Sequence, residues 1–276
     1  MTEYQLDVND ANLTAVEQLK QASGLSKQQL KQAMNKGAVW VSANDQGHKR
    51  LRRADKKLSV GQQLHLYYDE QVLSLSPQAA TLIADEGQYS VWYKPYGMLS
   101  QGSKWGDHCT INRWVEQNHL PQRPAFIVNR LDRAAQGLML IAHSKKAASA
   151  LSGLFAKRAI DKQYMALVQG LFPESLILDQ PIDGKAALSQ GRRLQYNDSA
   201  QISLVVIKID SGRKHQIRKH LSGAGFPIIG DRLYGPEVDH NSVDLCLVSS
   251  YLAFTSPFDG LAKSYQLADE YLPKIG

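Results

Sequence analysis

The chain has 276 residues, of which 43% are hydrophobic and 21% are charged, which is typical of a folded globular protein and excludes a wholly disordered one. This length allows one large domain, or a medium domain with a small one. Cys109 and Cys246 form no CxxC pair, which excludes a disulfide-stapled secreted scaffold. The first residues lack a signal-peptide pattern, and no apolar run approaches the ~18 residues of a membrane span. We therefore expect a cytoplasmic protein with no membrane partner.

Positive charge is concentrated near the N-terminus. The formal net charge is +6, and residues 13–68 carry ten basic and three acidic side chains, or +7. The rest of the chain carries 22 basic and 23 acidic side chains, or −1. Such asymmetry fits a polyanionic partner, although a solvated lysine-rich surface explains it equally well.

Two short helices are predicted at the start of this basic segment. Thr14–Glu17 and Ser26–Gln29 each match a capping box, in which the first and fourth residues satisfy each other's backbone donors. Leu30, Ala33 and Met34 then recur at helical spacing and predict the buried face of the second helix.

Short strands are predicted after the helices, at Val39–Val41 and around 64–68, with a turn at Asn44–Gly47. Two helices followed by strands, with lysines on the second helix, resemble the alpha-L RNA-binding domain over roughly residues 12–68. The stretch from Ser26 to Val41 matches best.

A domain boundary is predicted in the polar, poorly periodic segment 69–88, which we interpret as a linker. The predicted division is 1–76, an alpha-L-like RNA-binding domain with its linker, and 77–276, a larger domain. In that domain we expect strands at 89–93, 126–128, 138–141, 162–170, 201–210 and 245–254, and helices at 111–116, 144–158 and 213–221. The strand at 201–210 is apolar on both faces, which predicts a central, covered position.

An acid between two arginines is the most suggestive chemical feature of the larger domain. Asp132 lies between Arg130 and Arg133, and flanking guanidinium groups favour the ionised carboxylate. Taken alone, the pattern also fits a surface ion pair at a strand turn. The basic start of the helix at 213–221 follows a buried strand, where phosphates often bind, although a plain basic surface helix is the alternative. Arg218 is expected at the rim of the packed face of this helix.

Motifs for several other chemistries are missing from the sequence. It contains no GxxxxGK[ST] loop, no GxGxxG fingerprint, no GxSxG elbow and no HExxH metal motif. Nothing in it demands a cofactor or a metal, and we expect neither.

Five motifs, in the order in which they occur, resemble the RluA family of RNA pseudouridine synthases across essentially all of residues 88–276. They are Lys94-Pro-Tyr-Gly97, Asn129-Arg-Leu-Asp-Arg-Ala-Ala-Gln-Gly137, Tyr164-Met-Ala-Leu-Val-Gln-Gly170, Gly212-Arg-Lys-His-Gln-Ile-Arg-Lys-His-Leu221 and Gly230-Asp-Arg-Leu-Tyr-Gly235. The resemblance implies the isomerisation of uridine to pseudouridine in RNA, without cofactor or metal. It also implies an α+β fold with a mixed, mostly antiparallel central sheet and flanking helices.

The resemblance further implies roles for individual residues. Asp132 matches the nucleophile, Tyr164 the aromatic residue that stacks on the uracil and helps to remove a proton, and Arg218 the partner of the carboxylate. Whether the nucleophile attacks the anomeric carbon or acts otherwise stays open. Substrate contacts are expected from Lys94, Arg130, Arg133, Arg213, Lys214, His215 and Ile217. N-terminal contacts to RNA are expected from Lys27, Lys31, Lys36, Arg50, Arg52 and Arg53.

The chain departs from the family pattern at three places near these residues. Asn129 replaces the usual His, Ala135-Gln136 replaces Thr-Ser, and Lys214 replaces a frequent Thr. None of these changes removes a predicted catalytic side chain, so we expect activity.

Two other functions compete with this interpretation. A non-catalytic RNA-binding protein on the same fold is disfavoured because Asp132, Tyr164 and Arg218 are all present. A nucleoside or glycan hydrolase would pair Asp132 with Asp231 on one cleft, since hydrolysis usually uses two carboxylates. By analogy, the appended domain favours ribosomal RNA over transfer RNA as the partner. We expect the enzyme to be a monomer.

Overall fold

The computed structural model describes residues 1–43, 46–236 and 243–275. The chain divides into two compact units, one formed by Met1–Gln78 with Gln101–Gln117, and the other by Ala79–Ser100 with the chain from Asn118 onward. The segment 101–117, which the sequence analysis assigned to the larger domain, thus groups with the N-terminal unit. Two residues of the predicted turn at Asn44–Gly47 lie outside the described part of the chain.

The first unit packs two helices against one face of an antiparallel sheet. Its elements are β1 (Thr2–Asp7), α1 (Ala15–Ser23), α2 (Lys27–Asn35), β2 (Val39–Ala43), β3 (Gln46–Arg50), β4 (Gln63–Tyr68), α3 (Glu70–Ser74) and, from the later segment, α4 (Ile111–Asn118). The strand order is β1-β4-β2-β3. Both predicted capping boxes form. Leu30, Ala33 and Met34 are fully buried, which confirms the predicted face of α2.

The second unit is built on one large mixed sheet. Its elements are β5 (Thr81–Asp85), β6 (Tyr89–Lys94), β7 (Phe126–Ile127), β8 (Gln136–Ala142), α5 (Lys145–Ala156), β9 (Asp161–Gln169), β10 (Ser175–Leu178), β11 (Ser189–Asn197), β12 (Ile202–Ile209), α6 (Gln216–Gly223), β13 (Leu247–Thr255) and β14 (Ala262–Gln266). The order is β10-β11-β12-β9-β13-β8-β6-β5, with β14 on β13 and β7 on β8. Within the described residues only β13 and β8 pair in parallel, so the predicted mostly antiparallel α+β fold is confirmed.

The middle of this sheet positions the ends of two predicted site segments. Tyr164 on β9 lies opposite Ser249 on β13, and Ser249 lies opposite Gly137 on β8. Gly137 has φ of 114°, and a Cβ there would lie 2.3 Å from the Ser249 carbonyl oxygen. Only glycine permits this close approach. The absence of a side chain at 137 therefore brings the segment that follows Asp132 beside the strand next to Tyr164.

Several elements were not predicted from the sequence. The segment interpreted as a linker contains α3 and β5, and the strands β1, β3, β10, β11 and β14 were also missed. The predicted helix at 213–221 begins at Gln216, because His215 has a left-handed backbone with φ of 56°. None of the described helices is long and apolar enough to cross a membrane.

Candidate active site

The loop that carries Asp132 is held by hydrogen bonds on both sides of that residue. The Ser100 hydroxyl donates to the Leu131 carbonyl at 2.6 Å and accepts from the Leu131 amide at 3.0 Å. The Ala135 amide donates to the Asp132 carbonyl at 3.1 Å and closes a turn. The Asn129 side chain accepts from the Leu140 amide at 3.0 Å. These bonds fix the backbone of the loop, and Asn129, one of the departures from the family pattern, contributes one of them.

A buried lysine also holds the loop that carries Asp132. The Lys94 ammonium is fully buried and donates to the carbonyls of Pro95 at 3.0 Å, Met98 at 2.8 Å and Arg133 at 3.4 Å. Burial lowers the pKa of Lys94 to about 7, while the charge of Asp132 acts against this shift. The prediction that Lys94 contacts substrate is wrong, because its charged end is enclosed by main-chain carbonyls.

Arg218 joins two aspartates. Its guanidinium donates to both oxygens of Asp231, at 2.8 Å through Nε and 2.6 Å through Nη2, and reaches the Oδ2 of Asp132 at 3.5 Å through Nη1. The Arg218 side chain is 5% exposed, that of Asp231 is 1% exposed and that of Asp132 is 26% exposed. Arg218 therefore does not emerge at the helix rim as predicted, because its charge is neutralised inside the protein.

The charges of this cluster stabilise one another. Burial acts to lower the pKa of Arg218, but the bonds to Asp231 and the charge of Asp132 outweigh burial and raise it above its ordinary value. Burial acts to raise the pKa of Asp231, but Arg218 and the amides of Leu233 and Tyr234 lower it below its ordinary value. Arg218 is therefore a permanent cation beside Asp132.

Asp231 is the buried partner of Arg218, a pairing that the sequence analysis did not predict. Its Oδ1 accepts from the amides of Leu233 at 3.0 Å and Tyr234 at 3.1 Å, and its carbonyl accepts from Gly235 at 2.9 Å. The signal was present in the Gly230–Gly235 motif, but Asp231 was considered only as a second hydrolytic carboxylate. Because it is buried on Arg218, it does not line the cleft, and the hydrolase geometry is absent.

His215 faces the other oxygen of Asp132. Its Nδ1 lies 2.9 Å from the Tyr234 hydroxyl and its Nε2 lies 3.7 Å from the Oδ1 of Asp132. Burial lowers the pKa of His215, while the charge of Asp132 acts to raise it. With the Tyr234 hydroxyl donating to Nδ1, a neutral imidazole carries its proton on Nε2, directed at the carboxylate. Tyr234 therefore holds the ring of His215 beside Asp132, at 3.7 Å from its Oδ1.

Tyr164 forms an aromatic wall beside Asp132. Burial raises the pKa of Tyr164 to about 12, and the Ser249 hydroxyl acts against this rise. Together these side chains border a cavity of about 70 Å³. Its lining includes seven of the predicted site residues, namely Arg130, Asp132, Tyr164, Arg213, His215, Ile217 and Arg218. Lys214 is exposed outside this lining, and Arg133 borders a neighbouring cavity.

The basic residues predicted to bind RNA in the first unit differ in their availability. Arg50 and Arg52 both bond to Asp107, at 3.1 and 2.6 Å, so their charges are committed within the unit. Lys27 pairs with Glu17 at 3.1 Å, and Arg53 pairs loosely with Asp55 at 3.6 Å. The Lys36 ammonium donates to the Leu73 carbonyl, and Lys31 is exposed.

Comparison with known proteins agrees with this geometry. The family model described as RNA pseudouridylate synthase matches residues 88–223. The dual-specificity RNA pseudouridine synthase RluA of Escherichia coli is 31% identical over 195 residues, which cover 64% of this chain and 88% of that protein. This chain belongs to the RluA family of RNA pseudouridine synthases. An uncharacterised RNA pseudouridine synthase of Aquifex aeolicus is 29% identical over 236 residues, covering 76% of this chain and 72% of its own length.

Solved structures show the same fold as the second unit of this synthase. The human RNA pseudouridylate synthase domain containing 1 matches with a TM-score of 0.61 at 21% identity, over 72% of this chain and 88% of that one. The human domain containing 4 matches with a TM-score of 0.56 at 20% identity, over 69% and 90%. These structures show the fold, and the family model and the relatives of similar sequence show that the chain is an RNA pseudouridine synthase. The alpha-L character of residues 12–68 stays a prediction, because these residues precede the matched stretch.

Proposed function

We propose that Asp132 is the carboxylate that reacts with the target uridine. The observation that carries the proposal is the position of Asp132, partly exposed at the cavity, with Arg218 at one oxygen and His215 facing the other. Among the described residues that line this cavity, Asp132 is the acidic one. A carboxylate that must stay ionised beside a polyanionic substrate needs a permanent cation at this distance, and Arg218 supplies it.

The reaction requires no second carboxylate. The bond from the sugar's C1′ to N1 of the base breaks, the base turns, and a bond from C1′ to C5 forms. The hydrogen on C5 leaves as a proton and N1 gains one, so no atom is added overall. Because no water attacks the sugar, the enzyme does not need the second acid or base that hydrolysis uses. Asp132 with Arg218 is therefore sufficient for the isomerisation, whereas a hydrolase would also need Asp231 exposed at the cavity.

Tyr164 and Ile217 provide the walls for the uracil. A base that leaves its stack needs an aromatic surface and a closed pocket, and both side chains border the cavity. A pKa raised to about 12 keeps Tyr164 a neutral phenol at physiological pH, so stacking is the role that its burial supports. Arg130 and Arg213, at the same cavity, bind the backbone of the strand from which the nucleotide turns out.

The first unit holds structured RNA, with ribosomal RNA favoured over transfer RNA by analogy with alpha-L domains. Lys27, Lys31, Lys36 and Arg53 remain the phosphate contacts that we propose. Arg50 and Arg52 serve the unit's own packing through Asp107.

The test is to incubate the purified enzyme with total RNA from cells that lack the gene, and to map new pseudouridines. We expect them at one or a few uridines in ribosomal RNA, and none with the matched Asp132→Asn protein. Failure of the wild-type enzyme to form any pseudouridine would contradict the proposal. New sites confined to transfer RNA would overturn only the choice of target.

A further inference from the structure

A second, larger cavity opens at the same carboxylate. It has a volume of about 510 Å³, and Asp132, His215 and Arg218 line it as well as the cavity that we assign to the uracil. The three side chains therefore stand where the two cavities meet. The enzyme's reaction with a single nucleotide does not account for this second space.

The additional lining of this cavity combines cations with an aromatic ring and exposed apolar surface. Arg133 is exposed and its Nε donates to the Gly97 carbonyl at 3.3 Å. Arg232 donates to the Tyr96 hydroxyl at 3.3 Å, lies 3.8 Å from the Oδ1 of Asp244, and is 47% exposed. Leu233 also lines the cavity and is 65% exposed, so its apolar side chain is accessible to a ligand.

This combination suits one unit of a nucleic acid. Guanidinium groups bind phosphate, and an aromatic ring stacks on a base of any sequence. The volume of about 510 Å³ lies within the ~300–1,000 Å³ of protein ligand pockets, so there is room for a nucleotide. Apart from Asp132, the lining within the described residues contains no acidic side chain that would repel a phosphate.

We propose that this second cavity binds the nucleotide next to the target uridine in the RNA strand. The inference rests on the proposed function. With the uracil in the first cavity, the C1′ of its sugar lies at Asp132, so the adjacent nucleotide of the RNA strand also starts near Asp132. Tyr96 stacks on the neighbouring base, Leu233 covers its edge, and Arg133 and Arg232 bind its phosphate. The enzyme thus recognises a dinucleotide step rather than an isolated uridine.

The test uses synthetic RNA stem-loops and the full-length enzyme. One stem-loop carries the uridine mapped in total RNA, and two others replace the base on its 5′ or its 3′ side by an abasic ribose. For Tyr96→Ala, loss of the stacking contact should lower kcat/KM on the intact stem-loop by about 5- to 150-fold. The same substitution should have little effect on one of the two abasic stem-loops, because the wild-type enzyme already lacks the contact there.

Tyr96→Phe is the matched control, since it keeps the ring and removes only the bond to Arg232. We expect it to behave like the wild-type enzyme, and thermal melting checks that both variants fold. An equal loss for Tyr96→Ala on all three stem-loops would overturn the assignment of the cavity while leaving the proposed function intact. A wild-type enzyme that forms no pseudouridine in the intact stem-loop would overturn both.

Discussion

Each unit contains a cluster of arginine and aspartate side chains. One cluster has two arginines for one aspartate, and the other has one arginine for two aspartates. In the first unit, Arg50 and Arg52 both bond to Asp107, whose side chain is 12% exposed. In the second unit, Arg218 alone serves both Asp231 and Asp132. Both arginines bond to the Oδ2 of Asp107, and its Oδ1 is buried, so this carboxylate is enclosed. In the second unit, one cation between two carboxylates satisfies the buried Asp231 and only approaches the partly exposed Asp132.

The difference teaches what distinguishes a structural ion pair from a reactive one in this protein. Arg50 and Arg52 also donate to the carbonyls of Gly37, Ser103 and Asn35, at 2.7 to 2.8 Å, so their cluster links several segments of the first unit. The short bonds of Arg218 described above go to Asp231, whereas Asp132 lies 3.5 Å from it and is partly exposed. Each cluster can be broken separately.

Replacing the guanidinium group of Arg218 should have the largest effect on the rate of pseudouridine formation. We expect Arg218→Lys to lower the single-turnover rate of pseudouridine formation by about 10²- to 10³-fold, because an ammonium cannot bond to Asp231 through two nitrogens and still reach Asp132. Arg218→Ala should also lower the free energy of unfolding by about 3–5 kcal/mol, since it leaves Asp231 charged and buried. Rapid-quench kinetics and chemical denaturation measure the two effects. The matched control is Arg213→Lys, and an equal loss of rate there would argue against a special role for Arg218.

Breaking the cluster of the first unit should affect stability and leave the chemistry intact. We expect Asp107→Asn to lower the free energy of unfolding by about 1–3 kcal/mol, because Arg50 and Arg52 lose a charged acceptor. The single-turnover rate with saturating enzyme should stay at the wild-type value. Asp55→Asn, which alters an exposed pair, is the control and should change stability by less than about 0.5 kcal/mol. A large loss of rate in Asp107→Asn would contradict the separation of the two clusters.

His215 should have a smaller effect on rate than Arg218. We expect His215→Ala to lower the single-turnover rate by about 10-fold without changing RNA affinity, because Asp132 loses the group that orients its second oxygen. His215→Gln, which can still direct an N–H at the carboxylate, should recover most of the rate. The two variants are compared in single-turnover assays and in filter binding. A fall in affinity with an unchanged rate would instead make His215 a substrate contact.

The last prediction concerns the pH dependence of stability and not the rate. Lys94 has a pKa of about 7 in the folded protein against 10.5 ordinarily, so between these values the unfolded chain binds more protons. The free energy of unfolding should therefore gain a contribution from Lys94 as pH rises from 7 towards 10. We expect Lys94→Met to flatten this rise in urea denaturation, while Lys145→Met, on the surface, leaves it unchanged. Parallel curves for Lys94→Met and the wild-type protein would contradict the buried, partly neutral lysine.

Local signals explain which elements the sequence predicted. The helices α1 and α2 begin at capping boxes that need only four consecutive residues, so the sequence is sufficient. The strand β11, Ser189–Asn197, has few apolar residues and no clear alternation, because it is held by pairing with β10 and β12. Both partners are its neighbours in the chain, but the pairing itself, and no pattern within 189–197, marks this segment as a strand.

The same distinction holds for the candidate site. The order of the motifs predicted which segments carry Asp132, Tyr164 and Arg218, and the structure brings these residues to one cavity. The burial of Arg218 could not be predicted, because it depends on Asp231, which a separate loop presents. The enclosure of Lys94 depends likewise on carbonyls from two loops. Contacts between separate segments decide whether a cation is available to substrate.

The most direct test of this comparison is to measure pseudouridine formation and RNA binding for Asp132→Asn beside Asp107→Asn. The amide keeps the shape of the carboxylate and removes only its charge. We predict that Asp132→Asn binds RNA as tightly as the wild-type enzyme and forms no detectable pseudouridine in a single turnover, whereas Asp107→Asn forms it at the wild-type rate. Product from Asp132→Asn at a rate near that of the wild-type enzyme would contradict the assignment of Asp132 as the reacting carboxylate.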